Sequence, residues 1–198
     1  MRVKSIIAAV ALSLFLLAGC QGENVEESFP MKVEVGDLAA VDQNGESTSL
    51  GELNKGKIVI ADFIFTNCDT VCLPMTANMS KLQKKIAEAG LDGEVQLISI
   101  SVDPEHDTPE VLKEYSGRYE LDDKNKNWSF LTGYSRDEIE SFANVSFKTP
   151  AAQVKGSDQF VHGTSFYLVS ENGVLLKQYE GVSNPPYEEI LEDIEKLK

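Results

Sequence analysis

Residues 57–74 read KIVIADFIFTNCDTVCLP. The first nine, Lys57 to Phe65, form a nearly continuous apolar run rich in isoleucine. That is the pattern of a strand buried on both faces. A loop with two cysteines follows at once, and Pro74 can open a helix in its first turn. Met75, Met79, Leu82 and Ile86 then recur at helical spacing, with Gly90 near the stop. A second buried strand is expected over Val95 to Val102 (VQLISISV), ended by Asp103-Pro104. Strand, cysteine loop, helix, strand is the start of an α/β layer.

Working outward, Thr108-Pro109-Glu110 places an N-cap and a helix-opening proline, and that helix should reach about Tyr119. Ser135 and Glu138 stand in capping-box spacing at the head of another helix, Ser135 to Ala143. Thr164 to Ser170 and Val174 to Tyr179 form a hairpin across Glu171-Asn172-Gly173. Pro186 to Lys198 is a closing amphipathic helix. Upstream, Val35 to Leu53 carries the hairpin signal Asn44-Gly45. The predicted order is hairpin, strand, helix, strand, helix, helix, hairpin, helix. It specifies one α/β domain over residues 33–198, with a central mixed sheet and flanking helices. Ligands of such sheets sit at the carboxyl ends of strands. Cys68 and Cys72 follow one central strand, and Asp103 follows the next.

The N-terminal residues read differently. Arg2 and Lys4 precede an apolar run, Ile6 to Ala18, that ends in Leu17-Ala18-Gly19-Cys20. The run is shorter than the roughly 20 residues of a spanning helix, so residues 1–19 are expected to be a signal peptide. Leu-Ala-Gly-Cys resembles the bacterial lipobox, in which the cysteine is lipidated and becomes the new N-terminus. Residues 20–32 are polar and acidic and read as a flexible tether. The expected location is the outer face of the cell membrane, lipid-anchored.

The 198-residue chain has a formal net charge of −14. With no basic stripe, nucleic-acid binding is not expected. The charge favours solubility and holds the domain away from an anionic surface.

The chain has three cysteines, an odd number that needs explaining in an exported protein. A lipid on Cys20 caps one and leaves the pair Cys68 and Cys72. On a helical turn their Cα atoms would be about 6.2 Å apart, within reach of a disulfide but beyond its commonest span. Thiolates at a helix start are also favoured over thiols, and they are soft ligands that select Cu(I). The chain has two histidines, His106 and His162. His162, just before a predicted strand, could add the imidazole nitrogen that suits Cu(II). A structural disulfide and an open zinc site are the other readings of the same residues.

The runs FIFTNCDTVCLPMT, SVDPEHDTP and VHGTSFYLV followed by ENG resemble the Sco/SenC family. The resemblance covers roughly Val35 to the C-terminus. It implies a thioredoxin-like fold. It further implies copper binding and assistance in building the dinuclear copper centre of cytochrome c oxidase subunit II. Copper ligands would be Cys68, Cys72 and His162, with Asp103 nearby. Two positions depart from the family pattern: prolines common after each cysteine are replaced by Asp69 and Leu73. His106 stands where arginine is common and reads as a surface residue.

Two other functions share these residues. A thiol-disulfide oxidoreductase would use Cys68 and Cys72 as a redox pair. Ordinary thioredoxins, however, have two intervening residues and a cis-proline where this chain has Phe160-Val161-His162-Gly163. A copper or redox sensor needs the same ligands and no delivery. A peroxiredoxin-type site would want threonine at Phe65 and proline at Ala61, and has neither. The lipobox reading has its own test. Mass spectrometry of the membrane fraction should find an N-terminal lipidated Cys20, and Cys20→Ser should release the protein; a soluble wild-type product with an unmodified N-terminus elsewhere would refute it.

Overall fold

The computed structural model describes residues 25–68, 70–119 and 127–198. The signal-peptide and lipid-anchor expectations, residues 1–19 and Cys20, fall outside them. Two short strands, β1 (Val33–Glu34) and β2 (Ala39–Asp42), lead through the Asn44-Gly45 turn to β3 (Ser47–Ser49) and a short helix, α1 (Leu50–Asn54). Then come β4 (Ile58–Ile64), α2 (Cys72–Glu88), β5 (Val95–Ser101), α3 (Pro109–Ser116), β6 (Trp128–Thr132) and α4 (Arg136–Phe147). The chain closes with β7 (Ala151–Gln153), β8 (Phe160–His162), β9 (Ser165–Val169), β10 (Val174–Glu180) and α5 (Tyr187–Leu197).

Eight strands form one mixed sheet in the order β1-β10-β9-β4-β5-β6-β2-β3. β4, β5 and β6 run parallel, while β9 lies antiparallel to β4 on its other side. The alternation of side chains along β4 divides the core in two. Val59, Ala61 and Phe63 pack toward Ile139, Phe142, Ala143 and Phe147 of α4. Ile58, Ile60 and Ile64 pack toward Met75, Met79, Leu82 and Ile86 of α2, with Leu112 of α3 and Ile190 and Ile194 of α5. Helices therefore cover both faces, as the apolar run of residues 57–65 requires.

The sequence reading anticipated most elements and misplaced or missed some. α2 begins at Cys72, so Pro74 is its third residue and not its opener. α3 stops at Ser116, short of Tyr119, and α4 extends to Phe147, beyond Ala143. Strand β6 was not anticipated. Its five residues lie parallel to β5, Leu97 opposite Trp128, and bury Trp128, Phe130 and Leu131. The two-stranded sheet of β7 and β8 was also missed. No described helix is long and apolar enough to cross a membrane.

The turn after β6 depends on Gly133. Its φ is +90°, and a Cβ there would lie 2.8 Å from Cγ2 of Val41 on the neighbouring β2. Gly133→Ala should therefore cost at least about 1 kcal/mol, from the left-handed backbone and the collision together. Thermal unfolding of the metal-free domain reads this directly.

Candidate metal and redox site

The parallel pairing of β4 with β5 ends at Ile64 opposite Ser101, so the cysteine loop and the Asp103 loop leave the same end of the sheet. β9 runs the other way, with Ala61 opposite Tyr167. Its start therefore lies beside the end of β4, and His162, three residues before β9, arrives at the cysteine loop. The topology thus collects residues from three distant stretches of chain.

Cys68 sits in the turn before α2, and Cys72 is the first residue of α2. Cys68, Thr70 and Val71 lie outside the helix, and both cysteines are free thiols. The Cys72 amide donates to the Cys68 sulfur at 3.4 Å. The Cys72 sulfur lies 3.3 Å from Nε2 of His162. The two sulfurs and one ring nitrogen all fall within 4.8 Å of one another, and all three residues are buried. Nδ1 of His162 is 2.8 Å from the Gly163 carbonyl. A proton on Nδ1 donates to that oxygen and leaves Nε2 facing the sulfurs. Gly163 has no room for a side chain: a Cβ would collide with Tyr167 and Thr149.

The two thiols differ sharply. At Cys68, burial resists ionisation, but the side chains of His162 and Cys72 and the backbone of Thr70 and Cys72 outweigh it and bring the pKa down to about 6. At Cys72, burial comes first and the adjacent Cys68 adds to it, so the thiol is pushed far above its ordinary value. The site holds one near-thiolate and one protonated thiol at neutral pH.

Asp103 and His106 do not join the cluster. Asp103 is buried and faces Arg136, 3.5 Å from its Nη2. His106 is exposed, as expected. Three residues around the site were not singled out from the sequence. Asp107 is fully buried and accepts from the Thr66 amide (3.2 Å) and hydroxyl (2.5 Å) and the Ser101 hydroxyl (2.6 Å). It fastens the cysteine loop to the end of β5. Arg136 bridges the Asp103 loop to β7, donating to Glu105 and to Gln153, each at 2.7 Å. Asp62 is buried in β4 with no hydrogen-bond partner for either carboxylate oxygen. Burial raises its pKa to about 7; the nearby Ser99 hydroxyl, which does not reach hydrogen-bonding geometry, and the field of His162 oppose this only in part. The signal for Asp62 was present in the sequence as the lone acid in an apolar run.

The SCO1/SenC family model matches residues 27–198, and the chain belongs to that family. It is 46% identical over 194 residues to the SCO1 protein homolog of Bacillus subtilis, covering 98% of this chain and 96% of the relative. BsSco is a member of the Sco family of cytochrome c oxidase assembly proteins in which a disulfide switch has been identified. Its solved structure superposes with a TM-score of 0.76 at 47% identity, covering 85% of this chain and 95% of that one. Arabidopsis thaliana ScoI with copper bound superposes with a TM-score of 0.67 at 25% identity, covering 83% and 99%. The fold is thioredoxin-like, as the family resemblance implied.

Two measurements test this electrostatic description. In the reduced, metal-free protein, iodoacetamide should modify Cys68 with a midpoint near pH 6 and leave Cys72 unmodified; equal labelling of both would contradict the asymmetry. Asp62 makes the second prediction. Its folded pKa is raised, so the unfolded chain releases this proton first, and its effect on stability falls between about pH 4 and 7, then levels off. The difference between the folded and unfolded values corresponds to at most about 4 kcal/mol. Asp62→Asn should remove that slope, so its stability relative to wild type grows across the window; parallel curves from pH 4 to 7 would refute a raised pKa.

Proposed function

We propose that this protein is a lipid-tethered copper carrier, with Cys68, Cys72 and His162 as ligands. Its proposed role is to serve the dinuclear copper centre of cytochrome c oxidase subunit II on the outer face of the membrane. The observation that carries the reading is the buried Cys-Cys-His cluster, all three ligand atoms within 4.8 Å. Two soft sulfurs suit Cu(I), and the added imidazole suits Cu(II). Copper is the cargo. The Cys68 thiolate meets it first, and Cys72 gives up its proton as the metal binds. The Gly163 carbonyl holds the imidazole with Nε2 inward. Leu73, beside Cys72, and Val161, beside His162, are about half exposed and flank the ligands with apolar surface where a recipient protein would dock.

The Cys20 anchor and a tether of about a dozen residues would keep the domain within some tens of ångströms of the bilayer. Confinement raises the effective concentration of a membrane partner, so a weak contact suffices. The reading is supported by family membership and by the relatives named above, one of them a copper-bound structure.

The low pKa of Cys68 also supports a second reading, dithiol reduction of one dedicated partner. There Cys68 attacks a target disulfide and Cys72 then displaces the reduced target. The cysteines leave as a disulfide, carrying two fewer electrons, and an external thiol reductant must reset them.

Reduced protein should bind about one equivalent of copper, and the Cys68–Cys72 disulfide form should bind it far more weakly. His162→Ala should lose Cu(II) affinity and change its absorption spectrum, with Cu(I) much less affected; His106→Ala should do little. A larger Cu(II) effect from His106→Ala would overturn the ligand set. In cells, deletion should abolish cytochrome c oxidase and spare a quinol oxidase that lacks this copper centre, with no rescue by Cys68→Ser or Cys72→Ser. Rescue by copper favours delivery, rescue by added thiol favours reduction, and normal oxidase under copper limitation refutes both.

A further inference from the structure

His162 reaches the sulfurs on a part of the chain that the large sheet does not hold. β7 and β8 form a separate sheet, three residues to a strand. A two-stranded hairpin by itself is marginally stable in water. Ala151 and Phe160 anchor it in the core, and its outer side is held by a residue of another element.

Arg136, the first residue of α4, meets both strands of the hairpin. Its Nη1 donates to the Gln153 side chain on β7 at 2.7 Å, and its guanidinium lies 5.4 Å from the centre of the Phe160 ring on β8. Phe160 in turn packs on Phe65, ring centres 5.3 Å apart, and the His162 ring stands edge-on to the same Phe65 at 5.6 Å. Phe65 is three residues before Cys68. From its other side Arg136 is fixed by Glu105 at 2.7 Å and Asp103 at 3.5 Å. Its Nε is buried without a hydrogen-bond partner, a cost that a purely surface role would not require. Donating in two directions while stacking on an aromatic ring is a task for a planar guanidinium, not for an ammonium.

We infer that Arg136 is a positioning residue for Cu(II) binding: it locks the β7–β8 hairpin against the Asp103 loop and so holds His162 over the dithiol. This inference rests on the ligand set proposed above. Arg136 and Asp103 are both largely buried, so removing Arg136 also leaves Asp103 without its cation and lowers stability; the loss specific to copper is the placement of one ligand. Cu(I) tolerates that loss because two thiolates satisfy it; Cu(II) does not.

The test uses the reduced, full-length protein in detergent and the variants Arg136→Gln, Arg136→Lys, Gln153→Ala and His162→Ala. Arg136→Gln should weaken Cu(II) by about tenfold or more, the low end of what loss of an outer partner does to a metal site. Cu(I) affinity should change little, and the nitrogen coupling in the Cu(II) paramagnetic resonance spectrum should weaken. Without metal, the amides of residues 160–162 should exchange faster. Arg136→Lys should behave like Arg136→Gln. Adding Arg136→Gln to His162→Ala should weaken Cu(II) no further, because both act through one ligand. A folded Arg136→Gln protein with wild-type Cu(II) affinity, spectrum and amide exchange overturns the inference, as does a full additional loss in the His162→Ala background. If Arg136→Gln does not fold, Gln153→Ala, at an exposed position, decides: loss in the same direction supports the inference and wild-type behaviour refutes it. If His162→Ala leaves Cu(II) binding unchanged, the ligand set itself fails and takes this inference with it.

Discussion

The 3.3 Å contact between the Cys72 sulfur and Nε2 of His162 joins residues 90 positions apart in sequence. Most of the architecture serves to make that contact. The strand β4 must be buried on both faces to end where the cysteine loop begins. β9 must pair antiparallel with it so that the chain before β9 returns to that end. The hairpin β7–β8 must then present the imidazole with Nδ1 turned to the Gly163 carbonyl. Together these elements bring the three ligand atoms within 4.8 Å of one another.

Keeping two cysteines close but unbonded in an apolar setting creates an electrostatic problem. Two adjacent thiolates in low dielectric repel each other, so the first ionisation suppresses the second. The structure divides the task. Cys68 receives the hydrogen bonds and ionises easily, while Cys72, deeper at the head of α2, keeps its proton. A soft cation that neutralises the second sulfur relieves the repulsion, as does oxidation to a disulfide. This is the physical link between the metal-carrying and thiol-exchange readings: both draw on one poised pair. Asp62, a carboxylate without partners behind Cys72, adds to the cost of a second negative charge there.

Much of this was legible in the sequence. Long apolar runs gave β4 and β5, capping residues gave α3 and α4, and the Asn172-Gly173 turn gave the last hairpin. The place of the cysteine pair after a central strand marked it as the reactive centre, and the family resemblance added His162 to it. What was missed shares a physical cause. β6, β7 and β8 have five, three and three residues, too few to show a period, and exist because neighbouring elements supply their partners. Asp107 and Arg136 look like ordinary polar residues beside helix starts. Their roles come from groups 41 and 17 positions away, Thr66 and Gln153, and no local pattern encodes those pairings. Pro74 suggested a later start for α2 than the observed one at Cys72, because proline suits any position in a first turn.

The central claim is that the two sulfurs and the imidazole act as one copper site. X-ray absorption at the copper edge of the Cu(II)-loaded, reduced domain tests it most directly. Copper held by all three residues gives a first shell containing two sulfur scatterers, with imidazole outer-shell scattering that disappears in His162→Ala. A first shell of nitrogen and oxygen alone, with Cys68 still open to alkylation in the loaded protein, would contradict it.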